Sequence, residues 1–428
     1  MFYCTSCGNE FSKWNGQCPI CFEWSTIKEI PNSSKKFKSK NSSKNFSEKL
    51  KNKKLDEYKT SDSVRISSGI SELDRVFGGG ITIGSVNLIA GEPGVGKSTL
   101  LLEVCANLNG VYFSAEESGH QVLDRAVRIG LDPTKIDFIQ TNNLEQILEF
   151  LEAEKPKFII IDSVQTISSN DIESLPGSVS QVKKTATEIT NFCKIKNITS
   201  ILVGHYTKEG DIAGPRILEH LVDAVFSFEG ESRTDLRSLR SIKNRFGVIG
   251  EVGFFKFFGN RLVAVDNPSE FFIPSKFDET IGVATTAVLE GERVFLVEIE
   301  ALAIPTQFGF PKRSAENFSQ KRLELLTAVL ATKGGIPEVL SHDIYIKPAG
   351  GFLVKDYSSD LAVCIAICSA IKKKTFSNKI FVSGEVSLSG NIFLPSQFEK
   401  RVKEADRLGF KTNFSKKENL FSFLKRNF

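Results

Sequence analysis

The feature that most constrains this chain is a glycine-rich stretch in the first quarter of its 428 residues. It follows the apolar run Val86–Ala90 and precedes Ser98–Leu108, where apolar residues recur with helical spacing. The stretch matches the whole P-loop pattern, in the strand–loop–helix context that this pattern requires. Glycines there let backbone N–H groups turn towards phosphate oxygens, and the helix amino terminus adds partial positive charge. The residues are Gly91, Glu92, Pro93, Gly94, Val95, Gly96, Lys97 and Ser98.

The end of this P-loop predicts a nucleoside triphosphate held together with a metal ion. Lys97 is expected to reach the β- and γ-phosphates of ATP, and Ser98 is expected to ligate Mg²⁺. Thr99, the next residue, completes the predicted cofactor-binding set. The alternative is an ordinary glycine-rich strand–helix turn, which the full match and its context disfavour.

A second part of the nucleotide site is expected after another apolar strand. Phe158–Ile161 suits a strand buried on both faces, and Asp162 stands at its carboxyl end. This aspartate follows Lys97 by 65 residues (162 − 97) within the same α/β segment. It is predicted to orient Mg²⁺ or a water molecule bound to it.

Two glutamates and a histidine are candidates for the hydrolytic step. Glu116 and Glu117 follow the run Val111–Ser114, which we expect to form a strand beside the P-loop strand. A carboxylate there can orient the attacking water; Glu116 is the first choice and Glu117 the second, against a merely solvated pair. His205 ends the run Ile201–Gly204 and is predicted either to sense the phosphate or to be an ordinary polar residue at a strand end.

Strands that alternate with helices predict a parallel sheet wrapped by helices, and therefore an α/β fold. Leu144–Glu154 and Val179–Lys194 are the clearest helical stretches between the strands. Val225–Val265 is mostly strand-like and is expected to extend the sheet with antiparallel strands. A second α/β domain follows, so we predict one domain over residues 61–270 and another over residues 271–428.

The amino-terminal 30 residues predict a small metal-bound domain. Their cysteines have the spacing C-x2-C-x10-C-x2-C, which can close a tetrahedral structural Zn²⁺ site. Metal binding would fold a head too small to fold on its own core. The predicted ligands are Cys4, Cys7, Cys18 and Cys21. Residues 31–60 carry ten lysines against three acidic residues and predict a flexible basic linker.

A basic turn follows the strand-like segment Ser238–Ile242. It is Lys243–Gly247, with the sequence Lys-Asn-Arg-Phe-Gly. Two cations and an aromatic ring can serve a phosphate, and an arginine from a neighbouring subunit often completes a nucleotide site. By spacing alone, an exposed basic turn is the simpler interpretation.

Taken together, these features resemble the bacterial DNA repair proteins of the RadA (Sms) family over essentially the whole chain. The resemblance rests on the cysteine-rich head, the P-loop, Ser178–Val182, Gly204–Gly210 and Lys243–Gly247. It implies a RecA-like P-loop ATPase core joined to a domain similar to that of Lon protease, with ATP, Mg²⁺ and Zn²⁺ as cofactors. It also implies a motor on single-stranded and branched DNA: a hexameric ring helicase that promotes branch migration and works with a RecA-type recombinase.

The resemblance gives roles to individual residues. Lys97, Ser98 and Asp162 carry over to the nucleotide site. Lys243 and Arg245 carry over as DNA-coupled residues or as ATPase residues that act on a neighbouring subunit, a choice that the residues alone leave open.

The carboxyl-terminal domain departs from the peptidases that it resembles. Lon-type peptidases use a serine and a lysine; here Ser359 falls near the nucleophile position and Glu399 stands where the lysine is expected. A serine without its base lacks an activator, so the domain is interpreted as a non-peptidase scaffold for ring assembly and DNA contact. The basic residues kept from the family's DNA-binding stretch are Lys312, Arg313 and Arg322.

Composition narrows the remaining possibilities. Apolar residues make up 41% of the chain, charged residues 25%, and the net charge is +4, which fits a globular protein without membrane partners. Four further cysteines scattered in apolar segments indicate a reducing compartment, so a cytoplasmic protein is expected. The rival functions are a non-motor ATP-dependent switch built on the same fold and, disfavoured by Glu399, an ATP-dependent peptidase.

Overall fold

The computed structural model divides the chain into two compact units, and each is described by itself. The first comprises Met1–Glu229, Ser241–Gly247 and Phe258–Leu262; the second comprises Gly230–Arg240, Val248–Phe257 and Val263–Phe428. The predicted linker and most of Gly204–Gly210 lie outside the described residues. Those described are 2–4, 10–11, 13–19, 23–24, 26–29, 64–172, 174–205, 217–230, 236–273, 280–307, 309–377, 379–412 and 418–428.

The head contains a small antiparallel sheet in the order β2-β1-β3. Its strands are β1 (Phe2–Cys4), β2 (Glu10–Phe11) and β3 (Ile27–Glu29). Cys18 and Ile27 are buried in it, with Phe2 and Phe11 packed against them. A segment of about 30 residues is too short to be stable on its own apolar core, which agrees with a head that needs a metal ion.

The first unit is built on six parallel strands in the order β11-β6-β10-β9-β7-β8. Helices fill the connections, as parallel pairing requires. The six strands are β6 (Val86–Gly91), β7 (Val111–Ser114), β8 (Asp137–Gln140), β9 (Phe158–Asp162), β10 (Thr199–His205) and β11 (Ala224–Gly230), while β4 (Arg65–Ile66) and β5 (Ile81–Thr82) form a separate antiparallel pair. The helices are α1 (Ser71–Val76), α2 (Lys97–Asn107), α3 (Gly119–Arg128), α4 (Leu144–Glu154), α5 (Val179–Lys196) and α6 (Ile217–Leu221).

The predicted α/β class is confirmed, and the reason is visible in the central strands. Every residue of β6 and β9 is buried, because helices cover both faces of a parallel sheet. Each strand is therefore nearly continuous in apolar residues and ends where a polar residue reaches the sheet edge. All six strands run in one direction, so their carboxyl ends meet at one edge.

One detail of the predicted sheet is wrong. β7 does not lie beside the P-loop strand β6, because β10 and β9 stand between them. Strand order is not encoded in the apolar pattern of one segment, because it depends on where the connecting helices cross. The predicted extension of the sheet is confirmed: β12 (Leu236–Asn244), β13 (Val252–Phe258) and β14 (Arg261–Ala264) continue the same sheet beyond β11, and β12 and β13 are antiparallel.

The second unit contains a mixed sheet in the order β17-β18-β16-β15-β19-β22. Its long central strand presents alternate residues to two cores. The remaining strands are β14 (Arg261–Ala264), β15 (Val283–Glu290), β16 (Arg293–Pro305), β17 (Arg313–Ala315), β18 (His342–Pro348), β19 (Ile380–Phe381), β20 (Glu385–Val386), β21 (Ile392–Phe393) and β22 (Lys411–Thr412). The helices are α7 (Ser269–Phe272), α8 (Gln320–Thr332), α9 (Asp360–Lys372), α10 (Phe398–Arg407) and α11 (Leu420–Asn427).

Helices cover both faces of that sheet. Phe295 and Val297 of β16 share a core with α8 and the mostly apolar α9, whereas Leu296, one residue along, packs with Ala405 of α10. Alternation along one strand thus fixes which helix lies on which face. Among the described residues, no helix combines the length and the apolarity that a membrane span needs.

Candidate active site

The P-loop connects β6 to α2 at the carboxyl edge of the parallel sheet. Gly91 ends β6, and a Cβ atom there would lie 2.1 Å from the carbonyl oxygen of Phe228 on β11. Gly96 precedes α2 with φ of 108°, a conformation that side chains other than glycine's rarely adopt. Both glycines are therefore required by the backbone path that opens the loop towards a phosphate.

Lys97 lies inside the loop that it follows. Its Nζ donates hydrogen bonds to the carbonyl oxygens of Gly91 and Glu92, each at 2.9 Å. Burial lowers the pKa of Lys97 to about 8, although the negative charges of Asp162 and Glu116 act in the opposite direction. The ammonium group is thus held at the loop's centre within electrostatic reach of both predicted carboxylates.

Asp162 ends β9 and is fixed by the neighbouring strand. Ser114 pairs with Asp162 in the register of β7 and β9, and the Tyr112 hydroxyl donates to Asp162 Oδ2 at 2.5 Å. Burial and the adjacent carboxylate raise the pKa of Tyr112 well above its usual value, so the phenol stays protonated and remains a donor. The carboxylate is itself buried, with 8% of the residue exposed.

The two adjacent glutamates have different surroundings. Glu116 Oε1 accepts a hydrogen bond from Ser163 Oγ at 2.5 Å and lies 3.8 Å from His205 Nε2. Glu117 instead forms an ion pair with Arg125 of α3, and its backbone N–H donates to Ser114 Oγ. Only Glu116 therefore turns towards the P-loop side of the site.

His205 ends β10, directly opposite Gly91 in the register of β10 and β6. Burial, with a smaller effect from the positive charge of Lys97, lowers the pKa of His205, so its ring is neutral at neutral pH. Its Nδ1 is buried and has no hydrogen-bond partner among the described residues. The ring can therefore exchange a hydrogen bond with a group bound beside the P-loop.

The structure thus brings Lys97, Asp162, Glu116 and His205 together at one sheet edge, and it adds Tyr112 and Ser163, which sequence reasoning missed. Ser163 directly follows Asp162, which is a signal that could have been used. Tyr112 carries a hydroxyl between the apolar residues Val111 and Phe113, but its partner is known only once β7 is paired with β9.

The basic turn lies at the opposite edge of the same sheet. Arg245 Nη1 is 3.1 Å from Asp223 Oδ1, and Asp223 Oδ2 accepts the backbone N–H of Val86 at the start of β6. Lys243 Nζ donates to the carbonyl oxygens of Glu219 and Val222, at 2.5 and 2.8 Å. Burial, helped by the charge of Arg245, lowers the pKa of Lys243. Neither residue approaches the P-loop of its own chain.

The predicted zinc ligands are only partly within the described residues. Cys18 is fully buried, and its backbone N–H donates to the carbonyl oxygen of Glu23 at 2.9 Å, which closes a tight knuckle. Cys4 ends β1, but its side chain lies outside the described part of the chain, as do Cys7 and Cys21.

The three predicted DNA contacts of the second unit differ in availability. Lys312 is exposed beside the ring of Tyr345. Arg313 donates to the carbonyl oxygens of His342 and Val339. These backbone contacts occupy its guanidinium group.

Arg322 requires a correction. Its Nε lies 2.5 Å from Asp360 Oδ1, its side chain is 11% exposed, and its guanidinium carbon is 3.7 Å from the centre of the Tyr357 ring. A buried ion pair of this kind is not available to a DNA phosphate, because removing the arginine from it would leave Asp360 buried and unpaired. The structure gives Arg322 a role in the core of its unit.

Comparison with known proteins covers nearly the whole chain. DNA repair protein RadA of Rickettsia bellii (strain RML369-C) is 42% identical over 427 residues, which are 98% of this chain and 94% of that protein. DNA repair protein RadA of Bacillus subtilis (strain 168) is 40% identical over 430 residues, 99% of this chain and 94% of that protein. The chain belongs to the RadA family.

Two family models refine this assignment. A model described as a rubredoxin metal binding domain matches residues 2–29, which confirms a metal-binding head of zinc-ribbon type. A model described as a family of unknown function (DUF7125) matches residues 65–248. For a RadA family member, the parallel sheet and P-loop of the first unit are the RecA-like ATPase core that the sequence resemblance implies.

Proposed function

We propose that this protein is a DNA-dependent ATPase that works as a ring-shaped motor and moves branch points in recombination intermediates. Single-stranded and branched DNA are its substrates, a RecA-type recombinase is its partner, and the cytoplasm is its compartment. The names of its relatives, which are DNA repair proteins, support this reading. Its head holds structural Zn²⁺ through Cys4, Cys7, Cys18 and Cys21.

The nucleotide chemistry follows from the carboxyl edge of the sheet. The backbone N–H groups of the P-loop and the Lys97 ammonium bind the triphosphate of ATP. Ser98 and Asp162 offer the hard oxygen donors that Mg²⁺ prefers, and bound Mg²⁺ would neutralise charge on the phosphates. Glu116, oriented by Ser163, holds the attacking water, and His205 contacts the γ-phosphate.

The observation that best supports assembly into a ring is the distance between Lys97 and Arg245. Five residues of β6, Val86–Ala90, lie between the P-loop and the contact with Asp223, which is about 17 Å at the usual rise of a strand. Arg245 therefore cannot complete the site of its own chain. A head-to-tail interface places the amino-terminal edge of one subunit against a different edge of the next, and it can close into a ring. Arg245, with its side chain 54% exposed, is then offered to the neighbour's γ-phosphate.

Contacts with DNA are assigned to the exposed cations. Lys312 is the candidate that we keep in the second unit, since Arg313 and Arg322 are engaged within it. Lys243 donates hydrogen bonds to two backbone carbonyls. We assign it the role of holding the turn that contains Arg245 in place, so that DNA binding at this turn can affect Arg245.

The peptidase alternative is opposed by the second unit. Ser359 is fully buried, and its Oγ donates to the carbonyl oxygen of Asp356 at 2.7 Å. Glu399 is exposed on α10 and supplies no base. Ser358, the other serine there, accepts a hydrogen bond from the buried Arg401 at 2.8 Å. Neither hydroxyl has the activated, accessible arrangement of a nucleophile.

ATP turnover with and without single-stranded DNA tests the proposal. A motor is expected to hydrolyse ATP several-fold faster with DNA, and Lys97→Ala should abolish turnover in both conditions while the protein stays folded. Turnover that ignores DNA would favour the non-motor switch. Cleavage of casein in the presence of ATP would revive the peptidase.

A further inference from the structure

A buried carboxylate without a partner lies in the sheet of the second unit. Glu298 of β16 is 5% exposed and pairs in register with Thr285 of β15, which is 2% exposed. Directly paired residues of an antiparallel sheet project to one face, with Cβ atoms about 4.5–5.5 Å apart. Glu300, two residues along β16, projects to the same face. Three oxygen-bearing side chains therefore meet on one patch of the sheet.

None of these three side chains has a partner in the part of the chain that the structure describes. Among the described residues, Glu298 and Glu300 form no ion pair or hydrogen bond, and Thr285 Oγ1 is buried without one. The nearest cation by register is Lys347 of β18, which pairs with Glu300 but is exposed and forms no ion pair. A buried carboxylate is unfavourable unless it is paired, takes up a proton or coordinates a metal ion.

The residues around Glu298 indicate that its carboxylate does more than fill space in the core. The same face continues into Leu296 and Phe381, which belong to an apolar core under α10. An apolar side chain in place of Glu298 would extend that core without burying a charge. The buried threonine hydroxyl and the two carboxylates instead supply only hard oxygen donors, which select Mg²⁺, Mn²⁺ or Ca²⁺ over softer metals.

We infer that Glu298, Glu300 and Thr285 bind a divalent cation on this face of the second unit, with water completing the coordination shell. The site is separate from the nucleotide-bound Mg²⁺, which belongs to the first unit. Side chains two residues apart on one strand are separated by about 6.6 Å, so two glutamates can converge on one ion at normal oxygen–metal distances.

Mn²⁺ binding to the full chain without nucleotide tests this inference. Metal-free buffer exchange is used in place of a chelator so that the zinc head stays intact, and free Mn²⁺ is counted by its electron paramagnetic resonance signal. Wild type is expected to bind one equivalent more than Glu298→Gln. Thr285→Val, a substitution of equal shape, should weaken that equivalent several-fold. Glu399→Gln, which removes an exposed glutamate of the same unit, should bind like wild type.

Thermal unfolding supplies the second measurement. Glu298→Gln removes a buried charge and keeps its shape, so without added cation it should unfold at a higher temperature than wild type. Added Mn²⁺ should raise the unfolding temperature of wild type by several degrees more than that of Glu298→Gln. Equal Mn²⁺ stoichiometry and equal thermal response in the two proteins would overturn the inference. Protonation of Glu298 would then explain how its carboxyl group is buried without a partner. Metal binding and thermal unfolding are both measured without ATP turnover, so the outcome does not depend on whether the protein is a motor.

Discussion

Arg245 forms an ion pair with Asp223, with Nη1 of the arginine 3.1 Å from Oδ1 of the aspartate. This pair lies beside the first residue of β6, at the end of that strand opposite the P-loop. The same aspartate accepts the backbone N–H of Val86 and pairs with Lys194 of α5 at 2.9 Å. Asp223 is therefore a fixed anchor whose charge is compensated even if Arg245 moves away. The arginine can leave it for a neighbouring subunit without leaving a buried, unpaired carboxylate.

Arg245→Ala should abolish DNA-stimulated hydrolysis and leave nucleotide binding intact, because the P-loop is untouched. An arginine supplied by a neighbouring subunit accelerates phosphoryl transfer by about 10³-fold or more. Arg245→Lys should also be impaired, since an ammonium group lacks the planar fork. Rings that mix mutant and wild-type subunits are the measurement: activity should fall faster than the mutant fraction. A linear decline in verified mixed rings would argue for action within one subunit.

Glu116 and Glu117 should differ as catalytic residues, although they are adjacent. Glu116→Gln is expected to lower the hydrolysis rate by about 10²–10⁴-fold, the usual range for loss of a positioned base. Glu117→Gln is the matched control and should keep most of the activity, because Glu117 pairs with Arg125. Steady-state ATP turnover distinguishes them. The reverse ranking would assign the attacking water to Glu117.

Arg401 should be the most important charged residue for stability of the second unit. It is 1% exposed, lies 2.7 Å from Asp356 through Nη2, and donates to Ser396 and Ser358. Arg401→Ala should lower the free energy of unfolding by about 3–5 kcal/mol, because the half-buried carboxylate of Asp356 loses its ion-pair partner. Arg407→Ala on the same helix removes an exposed pair with Glu404 and should cost about 0–1 kcal/mol.

The pH dependence of this effect has a definite sign. Arg401 and two backbone N–H groups outweigh burial and hold the pKa of Asp356 below its usual value. The stabilisation from this aspartate is therefore present at neutral pH and is lost as the pH falls through that low pKa. In Arg401→Ala, Asp356 can relieve its charge by protonation, so the difference from wild type should shrink in acid. Urea unfolding at neutral pH and near pH 4 measures this; a constant difference would contradict the role given to Asp356.

The metal of the head can be removed selectively. Cys18→Ser should reduce zinc from one equivalent per chain to nearly none, because we propose that the buried Cys18 sulfur is one of the four ligands. Cys105→Ala removes a buried cysteine of α2 and should keep the zinc. Elemental analysis of the purified proteins is the measurement. Wild-type protein without zinc would refute the predicted site.

The nucleotide site was predictable from sequence where the information is local. The P-loop and Asp162 are each defined by a few consecutive residues with a clear apolar strand before them. Two contacts could not be predicted from the sequence: the hydrogen bond between Tyr112 and Asp162, and the ion pair between Arg401 and Asp356. Each contact joins residues about 50 positions apart, and their proximity depends on strand pairing and packing. The same limit explains the misplaced β7 and the reassigned Arg322: a basic residue looks equally available in sequence whether its partner is DNA or a buried aspartate.

The central claim is that ATP hydrolysis drives movement on branched DNA, and strand-exchange intermediates with a labelled branch point test it most directly. With ATP, wild type should move the branch point, while Lys97→Ala and Arg245→Ala should leave it in place although both proteins bind the DNA. If wild type hydrolyses ATP rapidly in the presence of these intermediates and the branch point does not move faster than without protein, the protein is not a motor.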